Sequence, residues 1–572
     1  MIYTKPLFPT ILFLAFASAC TGVPTGNTAT TGVPTKIKFD DATAASGVTF
    51  QHVPTRTDNK YMPEVLGSGV AIADFNRDGA PDIFLVNSGA LGSAVRSGDS
   101  SDRLFINDGK GAFSDKTAEW NLPSAGYGMG VAVGDVDNDG WTDVFVTSFD
   151  GNNRLLRNTG TGFEDITTAS KIAGNGAWAS SAGFADFDND GDLDLFVVCY
   201  VKFSMVDPPK AYNNGLLTYP APLLFESEAD QLWQNDGKGH FTNVTTSAGL
   251  DKEPQKGLAL AIGDIDRDGD QDVFVANDTT PNNLWLNDGK GNFKDVAQLS
   301  GAAYSAVGRE QANMGADFSD LDGNGLLDIA DTTFQTEALA IYMQREPMLF
   351  EDIPDQLGVG FASRERLKFG IDTFDADNDG DEDILVSNGH IQDNIERNSE
   401  TVTFAQQNLL FENLGGKFTG ISSSAGKALA DKQVSRGLAT GDLNGDGLID
   451  FVVNNNGGTA QIAFNSTPEK GNFVVFWLDG EKSNRNAIGA RVVAKIGDKT
   501  YERQVMGSQS YLSVSDFRLH FGLGTADKID ELTIYWPDGS EKKISDLAGG
   551  KFYYLRQNGT PVPFIPGEKQ IL

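Results

Sequence analysis

Cysteine is almost missing, with two residues in a chain of 572. Cys20 ends an N-terminal leader and Cys199 lies inside an apolar run, so the mature protein has no internal disulfide and small disulfide-stapled folds are excluded. Histidine is scarce as well, at four. No Gly-x-Ser-x-Gly, His-Glu-x-x-His or phosphate-binding loop occurs, which removes the common signatures of serine hydrolases, zinc proteases and nucleotide enzymes. Positive charge is in deficit: 45 lysines and arginines face 79 aspartates and glutamates, a net charge of −34. Nucleic acid and anionic lipid headgroups repel such a chain and are set aside as partners. After the leader there is no stretch of 18 apolar residues, so membrane attachment is expected only through an N-terminal lipid.

Glycine is plentiful, at 65, and Asn-Asp-Gly turns recur, which points to many short strands rather than long helices. Residues 1–19 read as a signal peptide, with Lys5 before an apolar stretch from Leu7 to Phe16. Ala17-Ser18-Ala19-Cys20 resembles a bacterial lipobox with Ala in place of the usual Leu; a plain signal-peptidase site cutting at the same bond is the alternative. Lipidation at Cys20 is the preferred reading, because a cysteine directly after the cut is otherwise unexpected in so cysteine-poor a chain. Residues 20–36 duplicate Thr-Gly-Val-Pro-Thr and form a tether reaching at most roughly 50 Å. The expected location is an outer-membrane lipoprotein, or a periplasmic or extracellular protein, exported through the inner membrane.

One nine-residue pattern, Asp-x-Asp/Asn-x-Asp/Asn-Gly-x-x-Asp, occurs seven times, from Asp74, Asp135, Asp186, Asp264, Asp320, Asp375 and Asp442. The steps between copies are 61, 51, 78, 56, 55 and 67 residues, a period that signals repeated blades of one architecture. Packing carboxylates this closely is destabilising unless a cation offsets them. Positions 1, 3 and 5 of a tight turn project inward, position 7 offers a carbonyl, position 9 closes the shell and position 6 must be glycine to bend.

The candidate ligands are Asp74, Asn76, Asp78 and Asp82; Asp135, Asp137, Asp139 and Asp143; Asp186, Asp188, Asp190 and Asp194; and Asp264, Asp266, Asp268 and Asp272. The last three sets are Asp320, Asp322, Asn324 and Asp328; Asp375, Asp377, Asp379 and Asp383; and Asp442, Asn444, Asp446 and Asp450. Up to seven Ca²⁺ are expected. Magnesium resists dehydration and seldom takes an all-protein cage, and zinc wants sulfur or imidazole that the loops lack. A solvated Asp-Gly turn explains any single copy, but not seven in register. The loops are not EF-hands, because position 12 is never glutamate and strands rather than helices flank them.

β-rich runs such as "DVFVTS" and "DLFVVC" follow the loops, and a second hairpin such as "RLFINDGKGAFSDKT" follows most of those. Two hairpins per repeat make a four-stranded blade, and seven blades in a ring make a propeller. The seventh repeat lacks its last strand and "KIKFDDATAASGV" at the start supplies one, so the N-terminal strand is expected to complete the last blade.

The repeats resemble FG-GAP/VCBS repeats, the calcium-loop blades of integrin α-chain propellers. "SNRNAIGARV" (483–492), "GSQSYLSVSD" (507–516), "LHFGLG" (519–524) and "WPDGS" (536–540) resemble the ASPIC/UnbV domain, and both parts together are similar to bacterial relatives of cartilage acidic protein. The expected chain is all-β: a seven-bladed β-propeller with calcium-binding hairpin loops over 37–466, a small β-sandwich-like ASPIC/UnbV domain over 467–560, and a tail over 561–572.

Such a chain is expected to act as a non-enzymatic recognition or adhesion scaffold for a glycan or protein. The insertion Tyr200–Asp230, with Phe203, Tyr212, Tyr219 and Phe225, offers rings for stacking on a sugar or partner, or simply packs on its own blade. Lys256, Arg309, Arg366, Lys368 and Arg436 precede inner strands and suggest an anion-binding mouth on the ring axis; scattered solubilising charge is the alternative. The rival class is a calcium-dependent, lyase-like enzyme on acidic polysaccharide, with His390 as an acid/base or ligand group; the alternative for that histidine is a turn cap.

Overall fold

The computed structural model describes residues 35–92, 98–124, 126–172, 174 and 176–568. The expected signal peptide, Cys20 and all but the last two tether residues lie outside them. Among the described residues no helix is long and apolar enough to cross a membrane.

Each repeat opens on a strand of small and β-branched residues, buried along its length: Gly128–Gly134, Ala179–Ala185 and Gly257–Gly263 are three of them. A strand covered on both faces needs such an uninterrupted run rather than alternation. The aspartate loop turns the chain into a second buried strand, and in five blades a glycine hairpin joins the third to the fourth. The first sheet is Val70–Ala73, Asp82–Leu85, Arg103–Asn107 and Phe113–Asp115, antiparallel throughout. Seven such four-stranded sheets occur in the repeat region among the described residues.

The first strands pack side by side from sheet to sheet, and the cycle closes where Val70–Ala73 meets Ser435–Gly441. The last sheet takes its outer strand from the other end of the chain: Phe39–Asp41 pairs antiparallel with Gln461–Asn465, placing Phe39 opposite Asn465. Phe39 seats against Phe374 and Phe451, so the seam is hydrogen-bonded and filled.

Residues beyond the ring form two further four-stranded sheets. Asn472–Asp479 is flanked by Leu519–Gly524 and, in parallel, by Lys551–Arg556. Arg491–Ile496 lies between Lys499–Gln504 and Lys528–Tyr535. Phe476, Leu478, Val492, Ala494, Phe521 and Ile534 fill the space between these sheets in one core continuous with Phe145, Phe184 and Ile262 of the ring. The first part of the segment expected as a tail is a strand: Val562–Phe564 pairs with Phe552–Tyr554 as a fourth strand, and Phe564 completes a small aromatic cluster with Trp477 and Phe552.

The sandwich sits on the face of the ring that carries the aspartate loops, and it reaches inside. Residues 507–516 run down the channel and bond to the first strand of every blade. Val514 donates to Val70 O and accepts from Ile72 N, while Leu512 O accepts from Val131 N, each at 3.0 Å. Ser508 Oγ donates to Ala182 O at 3.3 Å and Ser508 O accepts from Ile262 N at 3.1 Å. Ser510 bonds the Ala316 N–H and carbonyl through its own backbone, and its hydroxyl takes Ile371 N at 3.2 Å. Asp516 N donates to Thr440 O at 3.0 Å.

Inner sheet edges carry unpaired backbone groups, and a segment rich in short hydroxyl side chains can satisfy them from the axis. The fit is close: a Cβ on Gly69 would stand 1.8 Å from Leu512 O. Gly69→Ala is therefore expected to cost about 1–3 kcal/mol or more by overpacking against backbone that cannot yield. A urea midpoint equal to wild type would show that the channel does not grip the segment.

Candidate metal centre

Geometry at the seven loops follows from their spacing. In each, the first aspartate accepts from the backbone N–H of the sixth-position glycine, from 2.6 Å at Gly140 to 3.2 Å at Gly269. Those glycines hold φ between +82° and +99°, where a Cβ is strained. Position 5 closes an Asx turn onto the N–H two residues on, as Asp139 does with Trp141 at 2.9 Å and Asn324 with Leu326 at 2.7 Å. The ninth-position aspartate staples the turn to its blade. Asp143 accepts from Val136 N at 3.0 Å and from Asn158 N at 2.7 Å, and Asp82, Asp194, Asp272, Asp328, Asp383 and Asp450 repeat the arrangement.

A residue type that the sequence reading left without a role completes this geometry. An asparagine ends the third strand of six blades, and its amide reaches the loop of the preceding blade. Asn158 donates to Phe75 O at 2.9 Å, Asn235 to Val136 O at 2.8 Å and Asn287 to Phe187 O at 2.9 Å. Asn107, Asn413 and Asn465 do the same to Leu443, Leu321 and Ala376. Gln344 stands at this place in the fifth blade and stays within it, bonding Leu327 O. The signal was present as an Asn recurring before each Gly hairpin, but its partner lies one repeat away.

Five loops bring carboxylates together. Asp135, Asp137 and Asp143; Asp186, Asp188 and Asp194; Asp264, Asp266 and Asp272; Asp320, Asp322 and Asp328; and Asp375, Asp377 and Asp379 each place ligand oxygens within 4.8 Å of one another. Two oxygens on opposite sides of a hard cation at about 2.4 Å stand at that separation. The set fits a metal: Asp188 Oδ1, Asp264 Oδ1 and Asp320 Oδ1, one in each of three loops, are shielded from solvent and have no hydrogen-bond partner. An orphaned buried carboxylate oxygen is expensive, and a cation satisfies it.

Without a cation, burial first and neighbouring carboxylates next push these acids upward. Asp135 and Asp186 rise to about 7, Asp264 and Asp320 to about 6, and Asp328 to about 8. Burial also holds Asp143, Asp194, Asp272, Asp375 and Asp383 well above the ordinary carboxyl range.

The first and seventh loops are not among the converging groups, and a different cation lies between them. Arg518, delivered by the sandwich, donates Nη1 to Gly79 O at 2.5 Å and pairs with Asp516 at 2.6 Å. Burial opposes its charge, but Asp516, Asp74 and Asp442 hold its pKa above the ordinary value. In both Asp74 and Asp442 burial raises the pKa and the Arg518 charge pulls it back. Asn76 and Asp78, and Asn444 and Asp446, keep the same turn bonds as the other loops. Arg518→Gln is expected to cost about 3–5 kcal/mol, since it strands buried charge at the ring's seam; an unchanged denaturation midpoint would refute that role.

The sandwich also binds the backbone beneath the loops. Asn486 Oδ1 accepts from Asp135 N at 2.7 Å, and Gln504 exchanges two bonds of 3.0 Å with the Asp264 backbone. The loops are thus pinned between two domains.

The axial mouth expected from the basic residues does not form, for the channel is filled. Arg436 is fully buried, stacks 3.9 Å over Phe369 and donates to Val65 O at 2.7 Å. The Lys368 ammonium is caged by the carbonyls of Phe334, Glu337, Ser363 and Arg366 at 3.0–3.3 Å. Lys256 is buried, whereas Arg309 lies on an exposed loop. His390 caps a turn: Nδ1 accepts from Gln392 N at 2.9 Å, Nε2 faces Gln335 Oε1 at 3.1 Å, and burial with the Arg436 charge lowers its pKa to about 4. Of the insertion's rings, Phe203 packs on Phe149, Trp178 and Phe225, Tyr219 is buried and Tyr212 is exposed.

Comparison with known proteins agrees with this architecture. The FG-GAP-like repeat model matches residues 74–146, 135–197, 223–275 and 264–330, and the ASPIC and UnbV model matches 480–562. Cartilage acidic protein 1 of Homo sapiens is 25% identical over 520 residues, covering 86% of this chain and 72% of its own length. The Mus musculus and Xenopus tropicalis proteins of that name are 24% and 26% identical, each over 84% of this chain and 72% of their own. This chain carries FG-GAP-like repeats followed by an ASPIC and UnbV domain, and its homologues are named cartilage acidic protein 1.

Proposed function

We propose that the protein is a secreted, lipid-anchored calcium-binding propeller that serves as a non-enzymatic recognition scaffold for a glycan or protein. The observation that carries the reading is the set of bonds by which the sandwich grips the loop backbone, as at Asp135 and Asp264, so that a cation held there would clamp hairpins between two domains. Calcium suits an all-oxygen set of this size, and binding it is coupled to folding. An enzyme acting on acidic polysaccharide needs a titratable group free to move a proton. His390 is held by two partners and pushed below its useful range, which removes the strongest acid/base candidate.

Recognition is assigned to the face away from the loops, which carries no sandwich. Cys20 as the lipid attachment site and residues 20–36 as tether would hold that body off a membrane surface. A binding screen of the calcium-loaded mature chain against glycans and candidate proteins is expected to give saturable binding without turnover. Rising absorbance from unsaturated uronate products would instead establish a lyase. Cys20→Ser is expected to release the protein from the membrane fraction, and retention there would remove the anchor.

A further inference from the structure

Loops that precede a first strand or follow a second strand lie at the end of the ring away from the aspartate turns. There, a cleft of about 360 Å³ opens between the fifth and sixth blades, lined by Gln335, Thr336, Arg366, Thr401, Gln406 and Lys432, among others. Its volume falls at the lower end of small-ligand sites, roughly 300–1,000 Å³.

Arg366 sets this cleft apart. Its side chain is partly buried and makes no hydrogen bond or ion pair among the described residues; its Nε is shielded from solvent and unpartnered. The fully buried Arg436 and Lys368 are treated differently, with carbonyl bonds to each, and Arg77, whose Nε is also unpartnered, stacks over Trp141. Neighbouring Arg364 is likewise accounted for, giving two bonds of 2.7 Å to Asp355. A guanidinium left unsatisfied in a chain with 79 acidic residues is anomalous, since a partner carboxylate was readily at hand. Lys432, exposed on the same cleft, has no ion pair among the described residues either, and among those the one acid on the lining is the exposed Glu365. Thr336 lines the cleft with a left-handed φ of +77°, as Thr279 does at +61° in the corresponding loop of the fourth blade.

We infer that this cleft binds a carboxylate-bearing sugar, a uronate unit of an acidic oligosaccharide. Arg366 takes the carboxylate in a planar two-bond fork, Lys432 adds charge at the rim, and the threonine hydroxyls and glutamine amides meet the ring hydroxyls. The assignment rests on the recognition-scaffold reading and names its ligand class.

The test titrates the calcium-loaded full chain with tri-galacturonate and with its methyl ester, by calorimetry, in wild type and in Arg366→Gln, Arg366→Lys and Lys432→Gln. Tri-galacturonate is expected to bind, and the ester to bind at least tenfold more weakly. R366Q is expected to lose roughly 10- to 100-fold, the worth of a charged hydrogen-bonded pair. R366K loses less, and K432Q several-fold. Because R366Q removes an unsatisfied charge, its melting temperature without ligand stays level or rises. A lowered melting temperature for R366Q means the arginine is structural and overturns the site, as does unchanged affinity in R366Q and K432Q, or an ester that binds as well as the acid. If wild type ignores tri-galacturonate but holds another glycan or protein, the cleft assignment falls and the scaffold stands. Cleavage of the bound trisaccharide leaves the cleft in place and sinks the non-enzymatic reading.

Discussion

Stripping calcium with a chelator lowers the melting temperature of the purified protein by roughly 10 °C. A site saturated at 100 times its dissociation constant contributes about 2.7 kcal/mol, so five such sites add on the order of 13 kcal/mol. With an unfolding entropy of about 2.1 cal/mol/K per residue, a chain of this length shifts by about 1 °C per kcal/mol. The effect also has a distinctive pH dependence. In the metal-free fold Asp135 and Asp186 titrate near 7, Asp264 and Asp320 near 6 and Asp328 near 8, all above the unfolded value of 3.8. Raised carboxyl pKa values mean the folded state holds protons that the unfolded chain has released. That contribution is complete below 3.8 and is lost as pH climbs to about 8.

Chelated protein is therefore expected to melt higher at pH 5 than at pH 8. Calcium-loaded protein shows the reverse, because protons compete for the same oxygens. Scanning calorimetry at both pH values, with and without chelator, separates the four cases. Superimposable loaded and chelated traces would remove the metal from any account of this fold.

The second large effect concerns the other domain. A chain ending at residue 466 is expected to show no cooperative melting and to aggregate, although it retains every repeat. It lacks residues 507–516, and with them hydrogen bonds to the first strand of each blade. It also loses Tyr511, Leu512 and Val514, which are fully or almost fully buried in the channel. Empty of these, the channel would expose seven inner sheet edges and a row of glycines shaped around another backbone. Arg518, Asn486 and Gln504 leave with the sandwich, so the loop backbone they bind is stranded too. Size-exclusion chromatography and calorimetry decide the matter. A monomer melting near the full-length chain would mean that the sandwich merely rides on the ring.

The ring's carboxylate-rich loops were legible in the chain because their information is local. An aspartate at each alternate place, a glycine at the sixth and another aspartate at the ninth specify a turn within nine residues, and repetition turns one ambiguous turn into an architecture. The incomplete seventh repeat and the surplus strand around Phe39 announced the closure in the same way, each lacking what the other had. By itself, then, the sequence determined an all-β repeat body, the places of its aspartate loops and its family resemblance.

Tertiary structure decided what lies between elements far apart in the chain. Arg518 occupies a seam between loops that begin at residues 74 and 442, and no spacing rule foretells which of several arginines a fold carries there. The serine-rich stretch 507–516 looks like a surface loop by composition; it is an axle because seven sheet edges converge on the axis and need short polar partners. Lys368 and Arg436 read as ligand-facing charge for want of knowledge of the carbonyls around them, while Arg366, only partly buried, has none. Side-chain chemistry is written residue by residue, but burial and pairing belong to the closed ring.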